Sequence, residues 1–141
     1  MTIEAELELT DTLNPHLHAQ LGRELIAYNE ALLGGSCVKP LTVLIRHKDG
    51  HLIGGLSGRT SFGWLFIELL FVPEALRGTG IGTRILEMAE EEGRIRGCSG
   101  VWLDTLNPAA CRFYQKRGYL PFGELPMYPA DNARVFLSKR L

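Results

Sequence analysis

The 141-residue sequence is poor in three things, and each shortage removes a class of function. Cysteine is scarce: Cys37, Cys98 and Cys111 are odd in number and show no CxxC spacing. A disulfide scaffold and a zinc ribbon are excluded, and the thiols read as reduced, as in a cytoplasmic protein. Neither sign of charge is in excess, with 15 Lys+Arg against 16 Asp+Glu. A nucleic-acid binder carries a basic surplus and a membrane-surface protein a polybasic face, so neither partner is expected. Long apolar runs are missing too. The longest, Trp64 to Val72, is interrupted by Glu68 and falls far short of the ~20 residues a bilayer span requires. The opening MTIEAELEL is acidic and alternating, unlike a signal peptide. No repeat, low-complexity tract or Pro/Ser/Gly linker divides the chain. With 45% hydrophobic residues, a single domain over 1–141 with a real core is expected.

Hydrophobic periodicity then orders the elements. Thr2 to Leu9 alternate, which predicts a half-buried strand. Asn14-Pro15 is a helix cap with proline in the first turn. Leu17, Leu21, Leu25, Tyr28 and Leu32 follow at helical spacing up to Gly34-Gly35. Leu41 to His47 and His51 to Ser61 read as a hairpin around Asp49-Gly50. Trp64 to Val72 is predicted to be the most buried strand, apolar on both faces. Gly80 to Gly97 reads as a helix and Val101 to Leu106 as a strand. Asn107-Pro108 opens a third helix, which ends at Gly118. Tyr119 to Leu125 and Ala133 to Leu141 close the chain as strands. The order implies an α/β fold, antiparallel at first, with a β–α–β crossover in its second half.

The densest signal is the passage from buried strand to helix, Val72-Pro73-Glu74-Ala75-Leu76-Arg77-Gly78-Thr79-Gly80-Ile81-Gly82-Thr83. Glycines allow close backbone approach, and a helix start offers free N–H groups to an anion. A tight β–α turn without a ligand is the plain alternative. A P-loop is excluded because no Lys follows Gly82, and a dinucleotide fingerprint fails because Thr83 stands at its third glycine. Arg77-x-x-Gly80-x-Gly82 resembles the R/Q-x-x-G-x-G/A pyrophosphate motif of the GNAT superfamily of N-acetyltransferases. IELLFVPEALRGTGIG is similar to that family's central strand and loop. LDTLNPAACRFYQKRGYLPFG is similar to its fifth strand, fourth helix and closing strand. YNEALLGG and PLTVLIRHKDGHLIGGL resemble one bacterial branch of it. The resemblance covers essentially the whole chain.

It implies a mixed central sheet of about six to seven strands, helices on both faces and a splayed central strand pair. It also implies acetyl-coenzyme A as cosubstrate, with no metal. Pantetheine would lie along Leu70, Phe71 and Val72, and pyrophosphate on the amides of Arg77, Gly78, Thr79, Gly80, Ile81, Gly82 and Thr83. Phe113 would line the cofactor. Asn107 matches the family's pantetheine-touching Asn, and the following Pro gives it an equally good role as a helix cap. Tyr28 and Asn29 on the first helix are expected acceptor contacts, with Arg59 and Tyr128 further candidates.

Transferring acetyl to an amine requires a proton to leave the ammonium and the leaving sulfur to be stabilised. For a lysine-like amine the free base costs roughly 4–5 kcal/mol at pH 7, so a base is useful. Glu68, the only charge in an apolar strand, is the candidate, and burial there would raise its pKa. Its alternative role is to bind substrate without moving protons. Tyr114 matches the family's tyrosine, whose hydroxyl serves the thiolate; the alternative is a core aromatic beside Phe113. His16-x-His18 cannot place both rings on one helix face, His47 and His51 flank a hairpin as solvated groups, and Cys111 reads as packing. The acceptor is a small-molecule or peptide amine. Many relatives dimerise, but no homodimer signature is visible. A non-catalytic acyl-coenzyme A sensor would keep the loop but need neither Glu68 nor Tyr114.

Overall fold

The computed structural model describes residues 2–141. They divide into two compact units, Met1–Ser36 and Cys37–Leu141. In the first, Asn14 and Pro15 open helix α1 (Pro15–Leu33) as their chemistry dictates. The Asn14 carboxamide oxygen accepts from the amides of His16 at 3.0 Å and Leu17 at 3.4 Å, two of the donors a helix start leaves unpaired. Gly34 ends the helix at φ +92°. The strand predicted for Thr2 to Leu9 does not form, and residues 2–10 hold no regular structure. Alternation makes a strand only where a neighbour accepts its backbone groups, and no ladder forms over these residues.

The second unit is a six-stranded mixed sheet in the order β1-β2-β3-β4-β6-β5. Its strands are β1 (Lys39–Arg46), β2 (Leu52–Ser61), β3 (Trp64–Phe71), β4 (Gly100–Thr105), β5 (Leu120–Leu125) and β6 (Arg134–Arg140). Helix α2 (Ile81–Ile95) makes the crossover between β3 and β4, and α3 (Pro108–Lys116) links β4 to β5. The two hairpins β1–β2–β3 are antiparallel, while β3 and β4 run parallel. No helix among the described residues is long and apolar enough to cross a membrane.

The core lies on one face of this sheet. Leu65, Ile67, Val101, Leu103 and Leu137 point to it, met by Ile85, Leu86 and Ala89 of α2 and by Tyr114 and Tyr119. Two polar clusters fasten α2. Glu90 is buried, accepts from the Tyr119 hydroxyl at 2.7 Å and pairs with Lys139 Nζ at 3.1 Å. Such a fully satisfied buried group specifies packing, whereas an unpaired one would be costly. At the C-terminal end, the Arg96 guanidinium reaches the carbonyls of Lys39 and Pro40, the Thr60 hydroxyl and Glu92, all at 3.0–3.1 Å.

Two irregularities shape the sheet's centre. Ser57 pairs with Leu69 but Gly58 with Ile67, so Glu68 is an extra residue on β3, a β-bulge. At Gly58 a Cβ would lie 2.0 Å from the Phe66 carbonyl oxygen, which is why glycine stands there. Beyond the bulge β3 and β4 part, since their ladder covers only Trp64↔Gly100, Leu65↔Val101 and Phe66↔Trp102. The predicted burial of β3 holds for its core face alone, with Leu65 and Ile67 buried and Trp64 and Phe66 half-buried on the other. Past the bulge Leu70, opposite buried Leu56, packs against the core, while Leu69 and Phe71 point to the opposite face and are exposed.

Candidate active site

The splay and the loop after β3 meet at one end of the sheet. The chain leaves β3 through Pro73, makes a short 3-10 turn at Glu74–Leu76 and reaches α2. Gly78 and Gly80 sit at φ +78° and +86°, the left-handed region that favours glycine. A Cβ at either would meet nothing within 4 Å, so these positions border open space. Gly80 caps α2 without a side-chain hydrogen bond. The amides of Ile81, Gly82 and Thr83 thus keep the unpaired state of a helix start, where an anion is favoured. The loop also braces itself: the amides of Leu76 and Arg77 donate to Pro73 and Glu74 carbonyls at 2.9 and 3.1 Å. The Thr79 hydroxyl donates to the Leu76 carbonyl.

Arg77 folds back on the strand. Its Nε donates to the Val72 carbonyl at 3.0 Å and its guanidinium lies 6.0 Å from the Phe71 ring. That occupies the outgoing carbonyl at Val72. Phe113 packs beneath the helix start, its ring 3.4 Å from where a Gly82 Cβ would stand, with Val72 3.6 Å from the same point. Loop, strand end and Phe113 are therefore brought together. Arg117, which the sequence reading passed over, binds them: its Nε donates to the Thr83 hydroxyl at 2.7 Å while the guanidinium stacks 3.7 Å over Phe113. A basic residue at the end of a helix with an aromatic four positions earlier was the available signal.

Tyr114 lies beside Phe113, ring centroids 5.3 Å apart, and against Tyr119 at 5.7 Å. It is buried, and burial, aided by the Asp104 carboxylate, pushes its phenol up to about 12. Its neighbour Tyr119 is pushed further up, first by burial and then by its bond to Glu90. Asn107 caps α3, its oxygen accepting from Ala109 N at 2.9 Å, so the cap role holds. The amide nitrogen of that side chain is left over for other partners.

Glu68 stands elsewhere. Its carboxylate lies 3.7 Å from Arg59, whose guanidinium is 5.0 Å from the Phe66 ring. Phe66 stacks on Trp102 at 4.0 Å, on the face opposite Leu65 and Ile67. Glu68 is 57% exposed, so the burial invoked for it at the sequence level is absent, because the bulge turns it out of the core. The site thus has two sides. Tyr114 and Phe113 belong to the core face, Glu68 and Arg59 to the other, and the gap between β3 and β4 opens between those faces. On the far side of β4, Arg134 pairs with Asp104 and lies 5.3 Å from the Tyr128 ring. Tyr28 and Asn29 lie on α1, in the other unit.

The loop sets positive-φ glycines and helix-start amides beside a free strand edge, and the chain as a whole is similar to known proteins. The model of the Acetyltransferase (GNAT) family matches residues 6–119. The acetyltransferase Atu2258 of Agrobacterium fabrum is 42% identical over 132 residues, 94% of this chain and 96% of that one. The blasticidin-S acetyltransferase of Streptomyces morookaense is 38% identical over 107 residues, 73% of this chain and 79% of its own. A crystal structure from Agrobacterium tumefaciens superposes with a TM-score of 0.92 at 41% identity, covering 97% of this chain and 100% of that one. A family match across most of the chain, and a relative this similar over nearly all of it, make this chain a member of the GNAT family, an acetyl-coenzyme A-dependent acetyltransferase.

Proposed function

We propose that this single acetyltransferase domain moves acetyl from acetyl-coenzyme A to a primary amine by direct attack, the acceptor being a small molecule. The observation that carries the reading is the loop: positive-φ glycines bordering open space, free helix-start amides and an unpaired strand edge beside them. Gly78 to Thr83 would hold the pyrophosphate on backbone N–H groups, with Arg77 adding charge. The free β4-facing side of Leu70 and Phe71, the Val72 amide and the Asn107 amide nitrogen would bind the pantetheine, and Phe113 would pack against it.

Glu68 has the exposure to receive a proton from the acceptor ammonium and return it to water. Arg59, whose guanidinium lies over the Phe66 ring, stands 3.7 Å from the Glu68 carboxylate. As the amine nitrogen bonds to the acyl carbon and the carbon–sulfur bond breaks, Tyr114 donates a hydrogen bond to the leaving sulfur, and the second amine proton leaves through water, which protonates the thiolate. A phenol held at about 12 keeps its proton at neutral pH. It therefore stabilises developing charge rather than transferring a proton, a contribution made in the transition state. The free cysteines Cys37, Cys98 and Cys111 support a reducing, cytoplasmic setting.

Thiol release from acetyl-coenzyme A over a panel of amines tests the proposal. Blasticidin S heads the panel because a relative bears its name, followed by small amines, amino acids and peptide termini. Turnover with at least one small amine is expected. Turnover with peptide termini alone would replace the small-molecule acceptor, and none with any amine would overturn amine transfer.

A further inference from the structure

The β1–β2 hairpin, His47-Lys48-Asp49-Gly50-His51, carries a cluster that acetyl transfer does not use. The loop is closed tightly. The Gly50 amide donates to the His47 carbonyl at 2.8 Å, and the His47 amide to the His51 carbonyl at 2.9 Å. Gly50 at φ +95° completes a turn followed by a glycine bulge. That backbone sets His47 and His51 opposite each other, so their rings lie on one side of the hairpin. The centroids are 5.0 Å apart and the planes 24° from parallel. Asp49 turns back between them: its Oδ1 accepts from the His51 amide at 3.1 Å, stands 3.3 Å from His47 Nδ1 and touches His51 Nδ1.

Two imidazole nitrogens and one carboxylate oxygen thus lie within 4.8 Å of one another. An ion with ~2.0–2.1 Å bonds to nitrogen and oxygen holds tetrahedral ligands roughly 3.3 Å apart. The His47–Asp49 spacing already has that value. His51 Nδ1 donates to the same oxygen, so it ligates only after giving up that proton to solvent and after its ring rotates to open the contact. The His47 Nδ1 lone pair faces inward, accepting weakly from the Asp49 amide at 3.4 Å. Hard cations such as Mg²⁺ and Ca²⁺ want oxygen alone, whereas imidazole suits Zn²⁺, Ni²⁺ and Cu²⁺. All three residues are exposed, so water would complete the coordination. Nearby Arg46, bound to the Gly50 carbonyl, and Lys48 moderate the attraction for a cation.

We infer that His47, Asp49 and His51 bind one divalent transition-metal ion of the zinc class, clasping the hairpin across its strands. Isothermal titration of the untagged full-length chain with Zn²⁺ tests this. One site of micromolar affinity is expected, weakened roughly tenfold or more by His47→Gln or by His51→Gln, each of which removes one first-row-metal ligand. Cys37→Ser and His16→Gln should leave it unchanged. Amide NMR shifts on adding Zn²⁺ should centre on residues 46–52, which locates the ion without any substitution. Millimolar affinity, binding that survives both His variants, or loss of binding in the Cys37 or His16 variant would overturn the site.

Discussion

The two halves of β3 are alike in composition and opposite in circumstance. Leu65 and Ile67, on the core face, are 0% and 3% exposed, while Leu69 and Phe71, which the bulge sets on the opposite face, are 64% and 57% exposed. Which apolar residues close the core is decided by the face each one takes, and one extra residue in the strand exchanges the faces. Where β4 departs, the strand's backbone groups on that side are freed. Those freed groups lie beside the loop of unpaired amides, so the departure that weakens the sheet also leaves the edge proposed for the cofactor.

The contrast can be broken by substitution. The largest effect is expected at Leu65→Ala, about 2–5 kcal/mol of lost stability, since a fully enclosed leucine leaves a cavity. Leu69→Ala should cost within about 0.5 kcal/mol, as surface changes do. Equal costs in chemical denaturation would erase the distinction. Tyr114→Phe keeps the ring and removes the hydroxyl. A fall in kcat of ~10–1000-fold, or roughly 1.4–4 kcal/mol, is expected with cofactor affinity little changed. Wild-type turnover would remove the hydroxyl from the chemistry.

At the open end, saturating acetyl-coenzyme A at 100 times its Kd should stabilise the protein by ~2.7 kcal/mol. Gly80→Val should abolish that shift, because valine resists φ +86° and fills the cradle; an unchanged thermal shift would make the loop a mere turn. Glu68→Gln should slow turnover about three- to tenfold, or roughly 0.6–1.4 kcal/mol. The loss should be confined mainly below pH ~8, where a lysine-like amine is protonated. A uniform loss across pH would assign Glu68 to positioning, and no loss would remove it. The last effect concerns alkaline stability. Tyr114 deprotonates near 10 when unfolded and only at about 12 when folded. The unfolded state therefore loses its proton first, and stability should fall as pH rises from 10 towards 12. Tyr114→Phe should flatten part of that fall in thermal melts, Tyr119 supplying the rest.

Reading the sequence located what local chemistry dictates. Asn14-Pro15 and Asn107-Pro108 begin helices because their caps need only the next turn. The Asp49-Gly50 turn, and the glycines ahead of α2, are equally local. Thr2 to Leu9 misled because a strand is a property of two segments. Glu68 misled for a related reason. Whether it is buried depends on a bulge against Gly58 and on where β4 turns away, and neither is written in the run Trp64 to Val72. The Arg117–Thr83 and Lys139–Glu90 contacts join residues 34 and 49 positions apart, beyond any spacing rule.

Arg96 has a consequence for motion. It moors the far end of α2 to β1 and β2 through three partners and to its own helix through Glu92, a grip that a lysine, lacking the planar fork, could not reproduce. Glu90 moors the same helix at mid-length. A helix tethered so behaves as a rod clamped away from the end proposed to meet the cofactor. Cofactor binding can then quieten the residues ahead of the first turn without shifting the body of the helix. In hydrogen exchange, the slowing on adding acetyl-coenzyme A should be sharp at residues 77–83 and fade before the second half of the helix. Arg96→Lys should let it spread along the rod.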